Sequence, residues 1–228
     1  MRLILPVLFA VLAWPVLTGW AKTVPVYPAG MKCGKISSYF GDTLDLDGTR
    51  RDVAHEGIDL GNLGDRVIAP ANGTVLAIWA VHHTWGTDWN LLIHHTQDDL
   101  NMQKSGSFYV SEFDHLQKRN MPGLKPGDKI KAGQVLGRVG HPGKNPRFAP
   151  EVHLEVYRLP NGTWNKTTWH NADGIRYWWN DAADLIDPMW MLTRQNANRK
   201  SSTSNIQLFN GSPNAPKNVG FVYPLLCS

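Results

Sequence analysis

The sequence predicts an all-β fold: an antiparallel sheet folded into a sandwich or partial barrel, with a short helical or irregular extension at the C-terminal side. Three observations carry this expectation. Short runs between positions 36 and 160 alternate apolar and polar residues, the period of a half-buried strand. Gly, Pro, Asn and Asp punctuate these runs where turns are needed. No stretch of 33–160 sustains the 3.6-residue period of an amphipathic helix.

Taken in order, the chain opens with a short basic start, an apolar run from Leu3 to Leu17 and a small-residue exit at Gly19-Trp20-Ala21. This layout, residues 1–21, is that of a secretory signal peptide. It is too short for a stable span, no Cys closes it as a lipid anchor would require, and no other stretch is long enough to cross a bilayer. Residues 22–35 are a Pro-rich lead-in. The segment ISSYFGDTLDLDG (36–48) runs from a short strand into a polar turn. GDRVIAPANGTVLAIW (64–79) reads as turn, strand, an Asn72-Gly73 hairpin signal and a second strand. WNLLIHH (89–95) and SFYVSEFDHL (107–116) read as strands on either side of a polar loop. In PGDKIKAGQVLGRVG (126–140), Gly127-Asp128-Lys129-Ile130 repeats the pattern of Gly64-Asp65-Arg66-Val67. The two units suggest a duplicated β motif framing the middle of the domain.

Beyond Tyr157 the composition changes. Residues 160–183 form an insertion containing Trp164, Trp169, Trp178 and Trp179, and ADLIDPMWML (183–192) reads as a closing helix or turn. The main domain is therefore expected over 36–192. Residues 193–218 are polar and read as a flexible linker. The apolar tail, 219–228, makes sense only if pinned back to the domain.

With 228 residues, 42% of them hydrophobic, the chain can bury one well-formed core. Its only cysteines, Cys33 and Cys227, lie near the two ends of the mature chain. In an exported protein such a pair reads as a disulfide that ties the tail to the start of the domain. Together with the apolar leader, this predicts a periplasmic or secreted location. A net charge of +4 suits an acidic matrix such as a cell wall. Nucleic acid is not expected, because the basic residues are scattered and no recognition motif is present. A stable membrane anchor is not expected either, and the chain is read as a monomer.

Chemistry concentrates in two stretches, His55-Glu56-Gly57-Ile58-Asp59 and Glu151-Val152-His153-Leu154-Glu155. In extended conformation His55, Gly57 and Asp59 share one side, and Glu151, His153 and Glu155 share one face with Val152, Leu154 and Val156 opposite. A His–carboxylate pair answered by a second His is a three-ligand N/O set, suited to Zn²⁺ with one position open for water.

The ordered set H-x-G-x-D, APANGTV, a strand ending in His115-Leu116, K-x-G-x-x-x-G-x-V-G and P-x-x-H-L-E-V resembles the lysostaphin-like zinc peptidoglycan peptidases. The resemblance covers roughly residues 36 to 160. It implies a sheet groove holding one Zn²⁺, an exported metalloendopeptidase, and hydrolysis of stem or cross-bridge peptides in bacterial peptidoglycan. By position, His55, Asp59 and His153 match the metal ligands and His115 matches a catalytic His. The family's His-x-His has Glu151 at its first position here. A carboxylate can take over the proton shuttle, so Glu151 is expected to act as base while His115 stabilises the oxyanion.

Blander readings stand beside these. Glu155 shares the metal-facing side and is read as structural, and His95 as a structural hydrogen-bonding residue. His141 is a minority candidate for the missing imidazole. The Trp-rich insertion is read first as packing and second as a glycan-contacting wall. The alternative function is a zinc-binding, non-catalytic wall protein that regulates other wall hydrolases, with such a hydrolase or an inhibitor as partner. The retained ligand set favours the enzyme. A lipoyl- or biotin-carrier reading fails for want of an attachment Lys in a Met-Lys setting.

Overall fold

The structure is a computed structural model and describes residues 23–83, 86–117, 121–140, 149–160, 168–172, 175–179, 183–193, 203–212 and 217–228. The leader (1–21) and His141 lie outside them, as do the side chains of the aromatic insertion. The elements are β1 (Val24–Val26), β2 (Ile36–Ser38), β3 (Ile58–Leu60), β4 (Arg66–Ile68), β5 (Gly73–His83), β6 (Gly86–His95) and β7 (Phe108–Leu116). They continue as β8 (Lys129–Ile130), β9 (Val135–Arg138), β10 (Val152–Leu159), β11 (Thr168–Ala172), β12 (Ile175–Trp179), β13 (Asp184–Ile186), α1 (Met189–Leu192) and β14 (Thr203–Asn205). The all-β expectation holds.

An eight-stranded antiparallel sheet, in the order β2-β3-β10-β7-β6-β5-β8 with β13 on the free side of β10, forms the main layer and stays open. One face is the core. Ile58, Leu60, Leu91, Ile93, Phe113, Val152, Leu154 and Val156 project from it and are fully buried or nearly so. Against them pack Val67 from β4, Leu136 from β9 and the tail residues Phe221, Tyr223 and Leu225. The other face carries a smaller apolar cluster at one end, built on Ala77, Trp79, Val81, Leu92, Val110 and Leu159. Towards β3 that face turns polar and forms the site described below.

The two Gly-Asp units use the same turn. Asp65 accepts a hydrogen bond from the backbone N–H of Asn62 and Asp128 from that of Lys125, both at 2.8 Å. Gly64 and Gly127 have φ of 85° and 93°, a region where a side chain would be strained. The units then interlock: β4 pairs with β9, and the start of β5 pairs with β8. This corrects the reading of Asn72-Gly73 as a hairpin. β4 does not pair with β5, because the chain there crosses from the small layer to the large sheet.

The tail is integral to the core. Leu226 N–H donates to Arg66 O, Ile68 N–H to Pro224 O and Val222 N–H to Pro70 O, each at 2.9 Å. Tyr223 Oη donates to Gly34 O, and Cys33 is bonded to Cys227. Within the segment expected to be a flexible linker, β14 pairs in parallel with β1 and Ile206 is buried. Its polar composition concealed a strand.

His95, fully buried, makes structural bonds as its sequence context suggested: its Nδ1 lies 2.6 Å from Asn72 O and its Nε2 2.9 Å from Ser111 Oγ. Two stability predictions follow from these contacts. Phe221→Ala should cost about 3–5 kcal/mol in urea unfolding, the usual penalty for emptying a core aromatic site. Burial pushes the His95 pKa down to about 4. The unfolded chain therefore binds the extra proton first, and the His95 contribution is present in full above pH ~6.5 and lost as pH falls towards the folded value. That contribution is about 3 kcal/mol at most, and stepped-pH unfolding should show a shallower acid slope in His95→Gln than in wild type.

Candidate metal centre

The register of β3 against β10 sets Asp59 opposite His153. By strand alternation Val152 and Leu154 enter the core, and His153 emerges on the polar face beside Asp59. His55 arrives from the loop ahead of β3. Its backbone is fixed by hydrogen bonds from His55 N–H to Asp42 O and from Gly41 N–H to His55 O. Gly57 between them is required by space: a Cβ there would overlap Leu154 O and come within 2.9 Å of the His153 ring.

Three donor atoms converge. His55 Nε2 lies 3.1 Å from Asp59 Oδ1 and 3.1 Å from His153 Nδ1, and His153 Nδ1 lies 2.8 Å from Asp59 Oδ1. The neighbours fix the tautomers. His55 Nδ1 is 3.0 Å from Tyr39 O, a pure acceptor, so the ring carries its proton there. His153 Nε2 is 3.0 Å from Glu155 Oε1, so its proton points to that carboxylate. Each remaining imidazole nitrogen turns a lone pair towards Asp59. Three lone pairs at this spacing need a cation between them, either a second proton on the rings or one metal ion. Burial opposes charge on Asp59, yet its bonds to His153 and His55 outweigh it and hold the carboxyl well below its usual range. Arg51 adds positive charge, with its Nη2 3.8 Å from Asp59 Oδ2 and its Nε 3.1 Å from Asp45.

Beside this group stand His115 and Glu151. Three residues of β7 span what two steps of β6 cover, because the register shifts between Trp89↔Leu116 and Leu91↔Phe113. His115 takes up the difference in a left-handed conformation, φ 63°. The bulge lets Asp114 and His115 both escape the core while Phe113 and Leu116 remain in it. Gly140 lies between the two site residues: its N–H donates to His115 O at 2.9 Å and it bridges to Glu151. A Cβ at 140 would strike His115 O, so only Gly lets these backbones come together. His115 Nδ1 is 2.9 Å from Asp88 Oδ2. Glu151 is buried, and burial together with Asp59 raises its pKa to about 7, although His115, His153 and Arg51 pull it down.

The family model described as Peptidase family M23 matches residues 53–167. The chain belongs to peptidase family M23. Solved structures similar to it include the catalytic domain of the antimicrobial peptidase lysostaphin from Staphylococcus simulans, 21% identical with a TM-score of 0.38. That match covers 68% of this chain and 90% of the lysostaphin domain. A variant of the catalytic domain of the prophage-encoded M23 protein EnpA from Enterococcus faecalis is 19% identical, with a TM-score of 0.37, over 63% of this chain and 98% of that one. A zinc-containing peptidase from Vibrio cholerae is 24% identical, with a TM-score of 0.38, over 60% of this chain and 37% of that one. No curated protein matches in sequence.

In this M23 chain the structure brings together His55, Asp59 and His153 as one candidate metal group, and brings Glu151 and His115 to the same face. Glu155, read as structural, contacts His153 and accepts a hydrogen bond from Tyr157 Oη. His82 is exposed and bonds Thr87, and His94 stacks edge-on against Phe108. Sequence reasoning missed Asp88, Arg51, Tyr39 and Ser38, whose Oγ lies 3.1 Å from His55 Nδ1. Alternation could have found Asp88, since it shares a face with Asn90 and Leu92 and opposes Trp89 and Leu91. Nothing local marks Arg51.

Replacing a partner that orients a ligating imidazole commonly costs 10–100-fold in metal affinity. Glu155→Gln should therefore weaken metal binding by about that factor, measured by chelator competition, with the circular dichroism spectrum unchanged.

Proposed function

We propose that this M23 protein is an exported zinc metallopeptidase that hydrolyses peptide bonds in bacterial peptidoglycan. The observation that carries the reading is the convergence of His55 Nε2, Asp59 Oδ1 and His153 Nδ1 within 3.1 Å of one another beside Glu151 and His115. Ligands bound at about 2.0–2.1 Å in a tetrahedron stand roughly 3.3 Å apart, so this donor set fits Zn²⁺. Both imidazoles turn an unprotonated nitrogen inward, as metal ligation requires. Export is supported by the apolar leader and the Cys33–Cys227 disulfide. A peptidoglycan substrate is supported by the family and by a net charge of +4. We take residues 36–192 as the peptidase unit, with the tail 219–228 completing its core.

Zinc held by these three residues would polarise the scissile carbonyl and acidify the attacking water. Glu151 receives a proton from that water as its oxygen adds to the carbonyl carbon. It delivers the proton to the amide nitrogen as the C–N bond breaks and the amine departs. His115, with Nδ1–H engaged by Asp88, offers Nε2–H to the oxyanion. Asp59 would offer Oδ1 to the metal, while Arg51 faces Oδ2 at 3.8 Å. Glu155 holds His153 in the ligating tautomer.

The purified mature chain should bind one zinc and release new muropeptides from peptidoglycan. Chelation should abolish release and added zinc restore it. His153→Ala should lose zinc, and Glu151→Ala should keep zinc while turnover drops about 10²–10⁴-fold. Because Glu151 stands where the family resemblance calls for His, a non-catalytic wall-binding protein is the second reading. Zinc bound by wild type with no turnover on several wall types would establish that reading instead.

A further inference from the structure

The least expected feature of the polar face is the set of groups around His115. Asp88 on β6 approaches Nδ1 at 2.9 Å and is itself only 7% exposed. Asp114 flanks the ring from its own strand and Glu151 from the start of β10; both charges bear on it, as does that of Asp88. Among the described residues only Asn101 and His115 combine a side chain with positive φ. A residue with a Cβ pays roughly 1–2 kcal/mol for that conformation, and here the bulge turns the imidazole out of the core towards Asp88. Backbone strain kept at such a point marks a group whose orientation matters.

The Asp88 contact has two chemical effects. A carboxylate on Nδ1 accepts a hydrogen bond from the N–H there and leaves Nε2 as the nitrogen free to face outward from a side chain that is 25% exposed. The same carboxylate stabilises the ring when it carries both protons. A site with two neutral imidazoles could exchange roles between them. With Glu151 in place of one, the tasks separate: the carboxylate takes the proton and the imidazole donates.

We propose that Asp88 is a positioning residue for peptide hydrolysis: its carboxylate holds His115 by Nδ1–H with Nε2 outward, so that the protonated ring is the oxyanion donor while Glu151 moves the proton. The assignment rests on the peptidase reading above. Burial opposes charge on His115, but the Asp88 hydrogen bond and the charges of Asp114, Asp88 and Glu151 outweigh it and hold its pKa above the ordinary imidazole value.

Asp88→Asn keeps an acceptor and removes the charge, Asp88→Ala removes both, and Asp88→Glu restores the charge. Two readouts are needed on the full mature protein loaded with zinc: muropeptide release as kcat and KM, and ¹⁵N NMR titration of the His115 ring. Asp88→Asn should lower kcat at least tenfold with KM and zinc content unchanged. It should shift the His115 titration down by about one pH unit, the size expected for losing one adjacent charge, and move the alkaline limb of the kcat profile with it. Asp88→Glu should recover more activity than Asp88→Asn. An unchanged His115 titration in Asp88→Asn and Asp88→Ala overturns the proposal, as does a shifted titration with unchanged kcat. If wild type cleaves no wall preparation, the peptidase reading fails by itself, and the NMR titration separately decides whether Asp88 controls His115.

Discussion

The pairing of Asp59 with His153 across β3 and β10 is the constraint on which the rest of the polar face depends. Side chains alternate across a sheet, so a one-residue slip of β3 or of β10 would turn Asp59 or His153 into the core and bring Ile58 or Leu154 out. The core prevents it: Ile58, Leu60, Val152 and Leu154 are wholly buried on the opposite side. The metal-type group is thus held by apolar packing behind the sheet as much as by its own contacts. Those contacts would be unfavourable if left alone, because a buried carboxylate facing two imidazole lone pairs needs a compensating positive charge.

The polar face is graded. Near β3 it presents the His–Asp–His group, then His115 and Glu151, then the carboxylates of Glu112, Asp114 and Glu155, and finally the apolar cluster around Trp79 and Val110. Glu112 is nearly buried opposite Glu155, and burial with the nearby Asp114 and Glu155 charges pushes its pKa well above the carboxylate range. Acid groups crowded in this way oppose one another's ionisation, while the charges of Asp114, Asp88 and Glu151 favour the protonated form of His115.

Much of this was legible in the sequence. The alternation in EVHLEV assigned Glu151, His153 and Glu155 to one face, and H-x-G-x-D brought His55 and Asp59 to them. The repeated Gly-Asp units announced a duplication. Three things were not legible, each for a physical reason. Asn72-Gly73 has hairpin chemistry but occurs where the chain changes layer, so its strands pair with the other repeat. Residues 203–206 look polar and unstructured because β14 is a short strand whose one partner among the described residues is β1. The Asp88–His115 contact depends on a bulge, which breaks the two-residue period that a sequence reading must assume.

The position of Phe221, Tyr223 and Leu225 also sets when the fold can close. These residues fill space between the large sheet and the β4–β9 layer, and Cys227 reaches back 194 positions to Cys33. A chain emerging N-terminus first has every strand of the main sheet available well before the material that fills its core. Closure therefore waits for contacts of very long sequence separation, which form slowly. A nascent or truncated chain would hold β3 and β10 without the packing that fixes their register. Assembly of the metal-type centre is in this way timed to the arrival of residues 221–227.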